Sequence, residues 1–160
     1  MDLNLFQNKV ALSRLIVEKL AALPIDFKEK DAEIDASSKQ GSAHLKAAVV
    51  LPLYFKEFNG RPDYVFQLIK RSESISQGGD ISCPGGMLQP RQDNRLSSIR
   101  KRQMLPALGF RITGHIQHAD ADTDRLIRLF LTTALREAWE GIGLNPLNAK
   151  LLGALPSYSL

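Results

Sequence analysis

The stretch LTTALREAWEGIGL, Leu131 to Leu144, decides how this chain is read. Its apolar residues Leu131, Ala134, Leu135, Ala138, Trp139 and Ile142 recur at the spacing of one helix face. Glu137 and Glu140 stand three apart and so project from neighbouring positions on one side of that helix. Two carboxylates so placed repel each other unless positive charge lies between them. A divalent cation that prefers oxygen ligands, such as Mg2+, would supply that charge. The plainer reading is an amphipathic helix with a solvated acidic face, and spacing alone favours it.

Length and composition bound the class. A chain of 160 residues has the size of one domain with a single core. It is 44% hydrophobic and 24% charged, the balance of an ordinary globular protein. No apolar run approaches the length of a bilayer-spanning helix, so no membrane association is expected. The N-terminus lacks the basic, apolar and small-residue regions of a signal peptide. The single cysteine, Cys83, rules out an intrachain disulfide and fits a reducing compartment, so a cytoplasmic location is expected. Net charge +4 and a pI near 9.3 point to anionic partners, phosphates on a small molecule as readily as nucleic acid.

Residues 3–22 read as an amphipathic helix ending before Pro24, and residues 26–42 as a polar connector. Residues 47–53 form an almost unbroken apolar run that predicts a strand. FNGRPD, Phe58 to Asp63, has hairpin-turn chemistry, and Tyr64 to Ile69 predicts a second, antiparallel strand. QGGDISCPGG, Gln77 to Gly86, reads either as a surface turn or as a loop whose backbone approaches a ligand closely. Arg91, Arg95, Arg100, Lys101 and Arg102 form a basic cluster, more often a solvated face than a phosphate site. PALGFRITGHIQ is expected to hold a short strand. His115 and His118 lie near three aspartates, where capping and solvation outweigh a metal site. Asp120, Asp122 and Thr123 are candidate N-caps for the central helix, Gly143 its stop, Asn145-Pro146 a turn, and Lys150 to Leu155 a last short strand.

Two separated stretches together resemble the Nudix hydrolase family, whose signature is Gly-x5-Glu-x7-Arg-Glu-apolar-x-Glu-Glu-x-Gly-apolar. Gly86 fits its opening, and Arg136, Glu137, Ala138, Glu140, Gly143 and Leu144 fit its second half. Upstream, Arg71, Ser72, Gly79, Ile81, Ser82, Pro84, Gly85 and Gly86 are similar to the extended motif of the coenzyme A pyrophosphatase branch, with Asp80 and Cys83 departing from it. GALPSY also resembles that branch's continuation. The resemblance implies an α/β (α+β) fold, a Nudix α/β/α sandwich with a mixed sheet. Residues 1–44 would be an N-terminal helix and connector, and residues 45–160 the Nudix domain.

The implied activity is hydrolysis of a nucleoside-diphosphate-linked substrate, coenzyme A or a derivative, with Mg2+ or Mn2+ as cofactor. By resemblance Glu140 is a metal ligand and Glu137 a metal ligand or general base. Arg136 braces the carboxylates. Gly85 and Gly86 shape the pocket floor, and the segment around Arg71, Ser72 and Gly79 recognises the substrate. The partner is a small-molecule nucleotide. Nucleic acid is not expected, because no aromatic residues interleave the basic cluster.

Three departures qualify the pattern. Gly141 stands where the second glutamate of the Glu-Glu pair belongs, which weakens a magnesium site that depends on few carboxylates. Residues 89–130 interrupt the box as an insertion, with Gln92 at the spacing of the first glutamate and Asp93 beside it. The chain ends soon after the box, so the sheet is expected to be incomplete at its C-terminus, either because the chain is a truncated product or because the partner subunit of a homodimer completes the open edge. These departures sustain an alternative, a catalytically impaired Nudix-fold protein that binds nucleotides.

Overall fold

A computed structural model describes residues 7–39, 41, 45–73, 78–103 and 120–158. In chain order the elements are α1 (Lys9–Ala21), α2 (Phe27–Lys39), β1 (Ala47–Val49), β2 (Leu53–Phe58), β3 (Arg61–Phe66), β4 (Ile69–Lys70), β5 (Ile81–Ser82), β6 (Gly85–Met87), α3 (Pro90–Gln103), α4 (Ala121–Ile142) and a 3-10 turn at Pro146–Asn148. The class is mixed α and β, as expected, with helices dominating. The strands pair as three antiparallel ribbons, β1 with β6, β2 with β3 and β4 with β5. No parallel pair occurs among the described residues, so the expected mixed sheet is not seen there.

Helix α4 is the centre of the molecule. Of the seven buried hydrophobic residues among those described, all but Leu12 lie on it: Leu126, Ile127, Leu129, Ala134, Leu135 and Ala138. It packs against α2, α3, β1 and β6. Between Leu126 and Arg136 buried residues surround the helix on nearly every side, polar Thr132, Thr133 and Arg136 among them. That is the environment of a core helix, not of a half-solvated one. Its last turn emerges from this cover, so Trp139, assigned by its spacing to the apolar face, is 52% exposed.

Caps set the ends of α4. The Asp120 carboxylate accepts from the N–H groups of Asp122 and Thr123, at 3.0 Å each. Gly143 ends the helix in the left-handed conformation. Asp120 and Gly143 thus act as their positions led us to expect. Residues 121–130, the last part of the expected insertion, are the first turns of α4, because Asp120 opens the helix there. The strand expected in PALGFRITGHIQ, and His115 and His118, lie outside the described residues.

Other elements follow local chemistry. Asn59 (φ 50°) and Gly60 (φ 75°) are both left-handed, which matches the right-handed twist of the β2–β3 hairpin they join. The apolar run from Ala47 does not continue as one strand. Pro52 has no N–H to give a ladder, and the chain breaks between β1 and β2. Residues 26–42, read as a connector, instead contain α2. It is tied to β1 by Lys46, whose ammonium lies 2.6 Å from both Asp31 and Asp35. Helix α1 is joined to β3 where the Tyr64 hydroxyl donates to the Lys9 carbonyl at 3.0 Å.

The last predicted strand, Lys150 to Leu155, is absent from the described structure. Its neighbour is a helix and not a strand edge, for Gly153 lies so close to Leu20 of α1 that a Cβ would overlap that side chain. The Ser157 N–H then bonds the Asp26 carboxylate at 2.7 Å, anchoring the segment.

One core group is unsatisfied. The hydroxyl of fully buried Thr132 has no hydrogen-bond partner among the described residues. A buried polar atom without a partner costs about 1–3 kcal/mol. Thr132→Val keeps the β-branched shape and removes that atom, and should raise stability by about 1 kcal/mol. In a thermal melt this is an increase of about 2–4 °C.

Candidate functional site

The glycine strand and the acidic helix meet. Strand β6 pairs with β1, Gly86 opposite Ala48 and Gly85 opposite Val49. This ribbon lies on α4, and Gly86 faces Glu137 so closely that a Cβ would overlap the carboxylate. Gly85 is equally constrained from the other side, since a Cβ there would overlap the Ala48 carbonyl and Val49. Glycine at both positions is therefore a packing requirement of the β1–β6–α4 contact. Of the two readings for Gln77 to Gly86, close approach fits Gly85 and Gly86, though what they approach is the chain itself.

Arg136 is the hub of the site. Its Nε donates to Asp93 Oδ1 at 2.8 Å and its Nη2 to Asp93 Oδ2 at 3.3 Å. Nη2 also donates to the Met87 carbonyl at 3.2 Å. Nη1 donates to Glu137 Oε1 at 2.7 Å and to Glu140 Oε2 at 3.1 Å. A guanidinium has five N–H groups, and each here has an acceptor. One side chain so ties β6, the start of α3 and the last turns of α4 together. It also holds the two glutamates at one nitrogen.

Asp93 is the residue that the sequence did not single out. Gln92, at the spacing of the family's first glutamate, is exposed, whereas the Asp93 side chain is 0% exposed. Asp93 accepts from Arg136, from the Gln89 N–H at 2.9 Å and from the Thr133 hydroxyl at 2.9 Å. Burial pushes its carboxyl up, but those three donors outweigh it and hold the pKa below the usual aspartate value. The Asp93 carboxylate and then Glu137 hold Arg136 protonated at any accessible pH. No local signal named it: capping-box spacing from Gln89 points to Gln92, whereas Asp93, one residue further on, is the side chain that reaches back to the Gln89 N–H.

The acids differ in exposure. Glu137 is 23% exposed and Glu140 is 52% exposed, so the pair opens outward from a buried base. Among the described residues no group of three or more His, Cys, Asp or Glu side chains is placed to hold a metal ion. Glu137 and Glu140 converge on Arg136 Nη1, which supplies positive charge between them; a Mg2+ or Mn2+ ion would have to share these two carboxylates with the guanidinium, with water and substrate phosphates completing its shell. Glu137 and Glu140 are the side chains that would hold it. At Gly141 nothing lies within 4 Å of a Cβ, so the face that would carry a third acid is open.

Of the expected site residues, the structure brings together Gly85, Gly86, Arg136, Glu137 and Glu140. Arg71, Ser72 and Gly79 belong to the β4–β5 hairpin, where the Arg71 N–H bonds the Asp80 carbonyl at 2.8 Å and the Gly79 N–H bonds the Arg71 carbonyl at 3.1 Å. No protein-family model, curated protein or solved structure matches the chain.

Proposed function

We propose that this chain is a metal-dependent hydrolase of a nucleoside-diphosphate-linked substrate, with coenzyme A or a derivative as the leading candidate. Its fold in this reading is a Nudix α/β/α sandwich. The observation that carries the proposal is the seating of Gly86 against the Glu137 carboxylate, with the Met87 carbonyl bonded to Arg136. Segments far apart in sequence, one fitting the opening glycine of the signature and the other its second half, are joined in a single contact.

The residues divide the work by their surroundings. Arg136 has no free donor, so it orients carboxylates and does not contact phosphate. Glu140, the more exposed, serves as a metal ligand, and Glu137 as ligand or general base. A bound Mg2+ or Mn2+ neutralises phosphate charge and acidifies water. In this reading Arg71, Ser72 and Gly79, on the β4–β5 hairpin, recognise the substrate. Incubation with coenzyme A and Mg2+ or Mn2+ should release adenosine 3',5'-bisphosphate and phosphopantetheine. Absence of both products from folded protein that still binds coenzyme A would overturn the hydrolase reading.

Gly141 favours a second reading, a nucleotide-binding protein with impaired catalysis. A glycine inside a helix also costs about 1 kcal/mol relative to alanine. Gly141→Glu should therefore stabilise the helix slightly and raise divalent-cation affinity by about tenfold or more, with hydrolysis rising alongside. Isothermal titration with Mn2+ measures the first effect and product release the second. Tighter metal binding without faster hydrolysis would favour the impaired protein.

A further inference from the structure

Helix α3 carries the whole net charge of the chain. Pro90–Gln103 contains Arg91, Arg95, Arg100, Lys101 and Arg102 against one acid, Asp93. The chain has 21 Lys and Arg against 17 Asp and Glu, which leaves sixteen of each outside this helix. The formal +4 of the protein is thus the +4 of α3. Moreover, its single acid faces inward, fully buried against Arg136. No anion remains on the solvent side of the helix.

Arg91 and Arg95 are exposed, one turn apart, and neither makes an ion pair among the described residues. By backbone register Ser98 continues their line along the same face. Like charges one turn apart weaken a helix, and a polyanion laid along the stripe removes that repulsion.

We propose that this face of α3 binds the phosphodiester backbone of nucleic acid. The contacts are to phosphates and carry no base readout, because the helix offers no aromatic side chain for stacking. That lack argues against base stacking but leaves phosphate contact open. An anionic membrane fits less well. A helix lying on a bilayer inserts a broad apolar face, and α3 has only Leu96 and Ile99 as apolar residues, with Leu96 half-buried.

Fluorescence anisotropy on the full chain tests this, using a labelled single-stranded homopolymer RNA and a labelled mixed-sequence duplex DNA without divalent cation. Binding is then independent of any hydrolysis. The expected result is binding to both, with the logarithm of the affinity falling linearly with the logarithm of salt concentration. The double variant Arg91→Gln/Arg95→Gln should bind about tenfold more weakly at low salt, with a slope shallower by about two. Both side chains are exposed and make no ion pair among the described residues, and a wild-type thermal melt verifies that the variant is folded. Failure of the wild-type protein to bind at low salt would overturn the proposal. So would an unchanged slope in the folded variant, or capture by phosphatidylserine vesicles with no binding to either oligonucleotide.

Discussion

Replacing Asp93 with alanine should destabilise the protein by about 3–5 kcal/mol, the usual cost of leaving one member of a buried ion pair alone. For a chain of this size the melting temperature falls by about 6–20 °C. The cause is specific. Arg136 would lose the acceptor of its Nε and one of the two of its Nη2 while remaining 5% exposed, the Gln89 N–H would lose its side-chain acceptor, and the Thr133 hydroxyl would keep only the Leu129 carbonyl. Asp93→Leu combined with Arg136→Met should recover most of the stability, because apolar replacement of both partners removes the stranded charge. An additive loss in that double variant would show that the pair is not the source of the effect.

The same pair sets an acid limb. The Asp93 pKa is held below its unfolded value, so its contribution is fully present above about pH 4 and is lost as pH falls through the folded pKa. In Asp93→Asn the amide does not titrate. Chemical denaturation from neutral to acid pH should therefore show a flatter stability profile below about pH 4 than in the wild-type protein. Parallel profiles would assign the acid limb to other carboxylates.

Glu137→Gln should lower the rate of coenzyme A hydrolysis by about 10²–10⁴-fold with little change in melting temperature. Glutamine keeps an oxygen to accept from Arg136 Nη1 and the same volume over Gly86, so packing is conserved. What is lost is the charge and the proton acceptor. A variant that melts like wild type and hydrolyses equally fast would remove Glu137 from the chemistry and leave it a purely structural partner of Arg136.

Much of the site could be read along the chain. Asp120, Gly143 and the Asn59-Gly60 turn act through local backbone chemistry, and local chemistry is what a sequence displays. Glu137 stood out by its helix spacing from Glu140 and Gly86 by resemblance, and the fold brings them into contact. What was not legible depended on surroundings. Thr132, Thr133 and Arg136 look like the polar side of an amphipathic helix, yet all three are buried because α3, β1 and β6 close over them. Asp93 was overlooked for Gln92 because motif spacing counts residues, whereas the Pro90 helix start determines which side chain turns inward. The run from Lys150 to Leu155 has strand composition but meets helix α1, and without a strand edge it forms no ladder.

In the proposed function, the glycine strand and the acidic helix together build a divalent-cation site for a pyrophosphate substrate. Titration with Mn2+ in the presence of coenzyme A, followed by the paramagnetic resonance signal of the free ion, tests it most directly. The wild-type protein should remove Mn2+ from solution saturably, and the folded Glu137→Gln/Glu140→Gln variant should leave the ion free over the same range. Equal Mn2+ binding by both proteins would contradict the account.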